Sequence, residues 1–271
     1  MNPPSGATLG VEPRDHLSHV RGTTDSPLST ATVASLLADT ASRFPDRPAV
    51  VFREQNVCWT WTQFKAEVDR FAAGLASLGL QAGDRLGIWS PNRVEWLVTQ
   101  FATARIGVLL VNVNPAYRLH ELEYALNASG CRAIVSAERL RTSEYLGMLQ
   151  ALAPELANCE PGKLASKRLP SLQLVIRMGD AHTPGMLGYG EVASRGASVL
   201  DTPSLDRITA SLDCHDPINI QFTSGTTGNP KGATLTHHNV VNNARFVAQA
   251  MHFDERDALC IPVPLYHCFG M

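Results

Sequence analysis

Between Gln221 and Gly232 the chain reads QFTSGTTGNPKG, and these residue types in this order are suited to holding an anion. The hydroxyl residues Thr223, Ser224, Thr226 and Thr227 are interleaved with Gly225 and Gly228, and an Asn229-Pro230 pair then presents Lys231. The glycines admit backbone torsions closed to other residues and let the main chain approach a ligand closely. Successive amides in such a loop can turn into one concavity and bind negative oxygens. The hydroxyls add donors, and the lysine adds a mobile positive charge suited to phosphate. The chemistry implied is polyphosphate binding, most simply that of ATP. A P-loop NTPase fits less well. That motif needs Gly, four residues, then Gly-Lys and Ser or Thr, whereas Lys231 precedes Gly232 and adjoins no hydroxyl residue. A loose Ser/Thr/Gly linker would not need Pro-Lys-Gly straight after the glycine-rich run.

Residues 223–232, TSGTTGNPKG, resemble throughout the signature of the adenylate-forming (AMP-binding) superfamily, Thr-Ser-Gly-Ser/Thr-Thr-Gly-x-Pro-Lys-Gly. That superfamily includes acyl-CoA synthetases and firefly luciferase. The likeness continues in ATLTHHNVVNN after the loop, in PLYHCFGM (264–271) and in VNVNPAYRLHELEYALNASG (111–130), and so covers about residues 30–271. The flanks DPINIQFTSGTTG and VNVNPAYR are most similar to the medium- and long-chain fatty acyl-CoA synthetases. The resemblance implies an acid–thiol ligase acting in two steps on a fatty acid or other carboxylic acid. The carboxylate displaces pyrophosphate from ATP, and the thiol of coenzyme A then displaces AMP from the acyl-adenylate. It implies ATP, Mg2+ and coenzyme A as co-substrates and cofactors. It also implies that Thr223, Ser224, Gly225, Thr226, Thr227, Gly228 and Lys231 hold the polyphosphate and offset charge on the departing pyrophosphate.

His267, in PLYHCFGM, is the second candidate: the matching family histidine lies beside the adenylate and the acyl carboxylate. The alternative is a structural histidine in a packed loop. Tyr266 and Phe269 are expected to wall the pocket and not to react. Asn112, Asn114, Pro115 and Tyr117 are expected to form a structural turn. The pair His237-His238 is read as marking a helix start with no partner carboxylate nearby, and not as a metal site.

The family's sequences run well past the position matching Met271. Its blocks for magnesium and ribose, its hinge and its small C-terminal domain with the adenylation lysine have no counterpart here. The expected organisation is a flexible tail over residues 1–28 and a partial AMP-binding N-terminal domain over 29–271. The alternative function is a catalytically inactive truncated remnant, or a nucleotide-binding or interaction module. On either reading the 271-residue chain alone is expected not to make acyl-CoA.

Composition sets wider bounds. The 271 residues are 44% hydrophobic and 18% charged, a globular balance with ample length for a large core. The 23 basic and 25 acidic residues leave a net charge of −2, without the basic excess that nucleic acid would favour. Six cysteines with no Cys-x-x-Cys pair read as reduced thiols of a cytoplasmic protein. No zinc-ligand spacing is present. The first 28 or so residues lack an apolar h-region, and Glu12, Asp15 and Asp25 argue against a mitochondrial transit peptide. No apolar run approaches the ~18 residues needed to span a bilayer. A peripheral membrane contact is left open.

The elements that must position the loop follow from periodicity. Val33, Leu36, Leu37 and Thr40 share a helix face after Ser29 or Thr30 as cap, and 49–52 with 57–60 form a hairpin. Thr62 is expected to cap a helix carrying Phe64, Val68, Phe71, Leu75 and Leu78. Arg85–Trp89 and Val108–Val113 are strands around a helix bearing Val94, Leu97, Phe101 and Ala104. Leu119–Ser129 is a helix stopped by Gly130, and Ala133–Ser136 and Leu172–Met178 are strands. Residues 138–170 hold one helix, and 179–204 read as a long connection. Ile218–Phe222 delivers the glycine-rich loop, and Val240, Ala244, Val247 and Met251 mark the helix after it. Strands alternating with helices imply an α/β fold of parallel-sheet subdomains with flanking helices. Ligands of such sheets bind beyond the carboxyl ends of the strands. Six residues separate Lys231 from His238, so phosphate binding is assigned to loop amides and Lys231, not to that helix's dipole.

Overall fold

A computed structural model of the chain describes residues 24–199, 201–223 and 230–270. In chain order the elements are α1 (Val33–Arg43), β1 (Pro48–Phe52), β2 (Val57–Thr60), α2 (Trp61–Ser77), β3 (Arg85–Trp89), α3 (Val94–Arg105), β4 (Leu109–Asn112), α4 (Leu119–Ser129) and β5 (Ala133–Ser136). There follow β6 (Arg139–Leu140), β7 (Ser143–Glu144), α5 (Tyr145–Leu152), β8 (Leu174–Arg177), β9 (Leu187–Gly188), α6 (Tyr189–Val199), α7 (Thr202–Ala210), β10 (Pro217–Phe222), β11 (Gly232–Thr236) and α8 (His237–Ala250). Seven strands make the central sheet in the order β11-β10-β4-β3-β5-β8-β9, and every pairing is parallel except β10 with β11. The chain is therefore α/β, as the alternation of strand and helix segments along its sequence implies.

Strands β4, β5 and β8 are buried at every residue, which is why they read as continuous apolar runs and not as alternating ones. From β3 the chain crosses through α3 to β4 on one side, then through α4 back over β3 to β5. Right-handed crossovers in opposite directions put α3 and α4 on opposite faces of the sheet. The reversal makes the carboxyl ends of β3 and β5 a topological switch point, where such sheets open a crevice.

Three local expectations are corrected. The cap of α1 is Thr32, whose hydroxyl accepts from the Ser35 amide in a capping box, and not Ser29 or Thr30. The cap of α2 is Thr60, paired reciprocally with Gln63, and not Thr62. Residues 179–204 are no simple connection: they hold β9, α6 and the first residues of α7. Their glycines are packing devices. A Cβ on Gly196 would lie 1.7 Å from the Arg70 carbonyl oxygen, and one on Gly74 would lie 2.2 Å from that of Val192, so α2 and α6 touch backbone to backbone.

Behind these helices Arg105 of α3 is buried and fully engaged. Its Nε donates to Asp69 of α2 at 2.9 Å, and its Nη1 and Nη2 reach Thr209 and Asp206 of α7 at 2.5 and 2.6 Å. Residues 27–33, where the expected tail meets the first helix, are held by α8. Arg245 donates to the Pro27 carbonyl at 2.7 Å, and Asn242 bonds both the amide and the carbonyl of Ser29. The tail assigned to 1–28 otherwise lies outside the described residues up to position 23.

Candidate phosphate-binding and active site

The glycine-rich segment closes a β-hairpin. Phe222 of β10 is opposite Gly232 of β11, and beyond them the Thr223 amide donates to the Lys231 carbonyl at 2.9 Å. That bond is the neck of the loop, and both neck residues are exposed. Ser224, Gly225, Thr226, Thr227 and Gly228 lie outside the described residues, so of the expected phosphate ligands the structure places Thr223 and Lys231. The hairpin rests on β4 through the parallel pairing of Asn219, Ile220 and Gln221 with Leu110, Val111 and Asn112. Asn219 and Asn112 are both buried, and Asn219 Nδ2 donates to Asn112 Oδ1 at 3.4 Å. The loop therefore leaves the carboxyl edge of a firmly registered strand.

The six residues between Lys231 and His238 had no element assigned to them in the sequence. They form β11 first, which carries the chain back along β10, with Pro217 opposite Thr236. Helix α8 thus begins at the amino end of β10, about 20 Å from the loop at 3.3 Å per residue. Its dipole is therefore remote from the loop. Thr236 caps α8 in a capping box with Asn239.

His237 is the first helical residue and is fully buried. Its Nδ1 accepts the Val33 amide at 3.1 Å, which leaves the ring proton on Nε2, a group without a partner among the described residues. Burial holds the imidazole down to about 4, against an upward pull from the Asp216 and Asp213 carboxylates. Those carboxylates are neighbours that the sequence reading of this pair did not foresee. His238 stacks obliquely on His215, with ring centroids 4.9 Å apart.

The second candidate residue, His267, is exposed in a tight turn. Its amide donates to Pro264 and its carbonyl accepts from Gly270, at 3.1 and 2.8 Å. The Phe269 amide donates to His267 Nδ1 at 3.2 Å, so the neutral ring carries its proton on Nε2, free to donate outward. Two hydrogen bonds from Asn92, just after β3, hold the same segment at Val263 and Leu265. His267 therefore sits by the carboxyl end of β3, and the loop leaves β10 two strands away, about 10 Å across the sheet. Between them is the turn after β4. Trp89 Nε1 donates to the Asn114 carbonyl at 3.1 Å, and Tyr145, stacked on Trp89, donates to that of Pro115 at 2.7 Å. Burial pushes the Tyr145 phenol up to about 12, so it stays a donor. Asn114 and Pro115 thus form a structural turn. Tyr117 is half-buried. Burial raises its phenol pKa, and Glu121 and Tyr266 add to the rise. Tyr266 packs on the core, whereas Phe269 is 78% exposed. Among the described residues no hydrogen bond or ion pair joins His267 to Lys231.

A cavity of about 330 Å³ opens between α1, α3, α8 and β10, lined by Leu36, Leu97, Phe101, Asn219, Val240 and Val241. For a divalent cation the fit is poor. Among the described residues the one group of three candidate donors is Asp213, Cys214 and His215. It precedes β10, at the end remote from the loop, and its carboxylate already closes a turn by accepting the His215 amide at 2.8 Å. None of the six cysteines is disulfide-bonded, and no helix is long and apolar enough to cross a membrane among the described residues.

A family model described as "AMP-binding enzyme" matches residues 37–271. "Medium-chain acyl-CoA ligase ACSF2, mitochondrial" of Rattus norvegicus is 48% identical over 258 residues, covering 94% of this chain and 42% of the relative. The protein of the same name from Danio rerio is 45% identical over 271 residues, covering 99% and 43%. Among solved structures, the inhibitor-bound N-terminal domain of FACL13 from Mycobacterium tuberculosis superimposes with a TM-score of 0.69 at 25% identity, covering 87% of this chain and 52% of that one. The chain spans about two fifths of the length of these curated relatives.

Proposed function

Since the chain belongs to the AMP-binding enzyme family, we propose that it supplies the phosphate-binding part of an ATP-dependent fatty acyl-CoA ligase that works through an acyl-adenylate. The observation that carries this reading is the hairpin loop, closed by Thr223 and Lys231, at the carboxyl edge of a largely parallel sheet, where ligands of such sheets bind. The names of the relatives support a medium-chain fatty acid as substrate.

In the first step a carboxylate oxygen attacks the α-phosphorus of ATP, and the bond to the bridging oxygen breaks to release pyrophosphate. Lys231 and the loop amides face the charge that builds on that leaving group. In the second step the sulfur of coenzyme A attacks the acyl carbonyl, and AMP departs with the carbonyl–phosphate oxygen. The Nε2 proton of His267 is suited to hold the acyl carboxylate or the oxyanion formed from it. Magnesium, if bound to ATP, would supply further charge neutralisation.

The test is the product. The longest natural form of the protein, given ATP, magnesium, coenzyme A and a panel of fatty acids, should release AMP and pyrophosphate in equal amount with the thioester. Release of ADP, or of AMP independent of acid, contradicts the reading. The 271-residue chain by itself should hold polyphosphate weakly and form no thioester above a Lys231→Ala control. A cytoplasmic location belongs to the same proposal and rests on the free thiols; the relatives' names say mitochondrial, and imaging of the tagged protein decides between the two.

A further inference from the structure

The half-buried carboxamide of Asn92 ties together two parts of the chain that are 171 and 173 residues apart. Its Nδ2 donates to the Val263 carbonyl at 2.8 Å, and its Oδ1 accepts from the Leu265 amide at 2.8 Å. A single side chain thus takes the place of a neighbouring β-strand, satisfying the donor and acceptor that flank Pro264. Leu265 is buried between them, only 3% exposed, and fixes the depth of the segment. The turn that follows hangs from this point: the His267 amide bonds to the Pro264 carbonyl, and the Gly270 amide to that of His267.

The same residue is well anchored on its own side. Pro91 precedes it and restricts the chain leaving β3. Next to it the Val94 amide at the start of α3 donates to Gln55 Oε1 at 2.7 Å, and Arg93 pairs with Glu95 at 2.9 Å. Asn92 is thus rooted at the carboxyl edge of the sheet, beside the switch point. The outer segment has little else to hold it, since residues 251–262 are exposed throughout.

We infer that Asn92 is a positioning residue: its two hydrogen bonds hold the 263–270 turn, and His267 with it, at the carboxyl end of β3. The catalytic half of this inference rests on the proposed function; the clamp itself does not. Asparagine is the residue that does this, because the clamp needs one donor and one acceptor on a short planar group. Aspartate keeps the acceptor for Leu265 and loses the donor for Val263. Alanine loses both.

Hydrogen exchange on the 271-residue chain tests the clamp. With Asn92→Ala the Leu265, His267 and Gly270 amides should exchange about tenfold faster, the worth of two ordinary hydrogen bonds, while the β3, β4 and β5 amides keep their protection. With Asn92→Asp the Leu265 amide should fall between the two. Unchanged exchange across 263–270 in both variants overturns the clamp, and faster exchange everywhere makes Asn92 a general stability residue and overturns it too. In the longest natural form, acid-dependent ATP–pyrophosphate exchange should lose about tenfold in kcat for Asn92→Ala, with KM for ATP unchanged and partial rescue by aspartate. Faster exchange at 263–270 with an unaltered kcat overturns the catalytic half alone. No acid-dependent pyrophosphate exchange in the unmutated protein overturns the proposed function and leaves the clamp standing.

Discussion

The sheet formed by β3, β4, β5 and β8 and the segment from β11 to Gly270 are built on opposite terms. Strand β5 buries all four of its residues, whereas β11 buries none of its five. After Gly232 the buried side chains are His237, Val241, Asn242 and Leu265, while Phe246, Val247, Met251, Leu259, Ile261 and Phe269 are exposed. The residues proposed to do chemistry, Lys231 and His267, both lie on the thinly covered side. Each is tied back to the densely packed side by few contacts, the hairpin register at β4 for one and Asn92 for the other. A rigid platform and a lightly held working face are what a site needs when its loops must move around a substrate.

Equivalent substitutions should therefore cost very different amounts on the two sides. The largest effect is expected at the helix contact behind the sheet. Gly196→Val would drive a side chain into the Arg70 backbone and force α6 off α2. At least about 4 kcal/mol of stability should be lost in urea unfolding, or the cooperative transition with it. A loss under about 1 kcal/mol would mean that α6 is loosely docked. Next is Ile88→Ala in β3, a fully buried residue, with an expected cost of roughly 2–5 kcal/mol in the same measurement.

The junction between the two sides should answer to pH through His237. Its folded-state pKa of about 4 lies below the ordinary 6.5, so the folded chain binds fewer protons than the unfolded chain between those values. Stability is full above pH 6.5 and falls as the pH drops towards 4, by roughly 3 kcal/mol at most. Protonating Nδ1 would also set a donor against the Val33 amide. Carboxylates held low by arginines, such as Glu123 and Asp254, lose their contribution only below their own ordinary values and do not cover the upper part of this window. Urea midpoints of the parent and His237→Asn across pH 4–7 should diverge; parallel curves contradict the assignment. The smallest effect is expected on the outer face of α8, where Val247 is 48% exposed. Val247→Lys should change stability by no more than about 0.5 kcal/mol and reduce self-association in light scattering, since exposed apolar surface favours aggregation. A cost like that of Ile88→Ala would show that this face is packed.

The same contrast explains what could be read from the sequence. Helix α4 was legible at both ends, because an amphipathic stripe ran into Gly130, whose φ of 62° closes the helix. Strands β3, β4, β5, β8 and β10 announced themselves as apolar runs. Helix α6 did not, because the glycines that let it touch α2 are the residues that mark loops elsewhere. Strand β11 carried no alternating signal, since neither of its faces is buried, and only its pairing with β10 reveals it. In the candidate site, Thr223 and Lys231 were legible from a local motif whose chemistry is carried by neighbours in sequence. Asn92 was not, because its partners are 171 and 173 residues away and a lone asparagine before a helix looks like any other. The burial of His237 beside Asp213 and Asp216 was hidden for the same reason.

The charge on Lys231 is the point at which the motif, the hairpin and the proposed chemistry meet. Acid-dependent ATP–pyrophosphate exchange at saturating fatty acid, measured for the longest natural form of the protein and its Lys231→Ala variant, tests that meeting directly. Losing one charge-assisted contact to a developing anion should slow exchange by ~10²–10³, with binding of the fatty acid and the unfolding transition little changed. An exchange rate equal to that of the unmutated protein would remove Lys231 from the leaving group and contradict the assignment of the 223–231 loop to pyrophosphate.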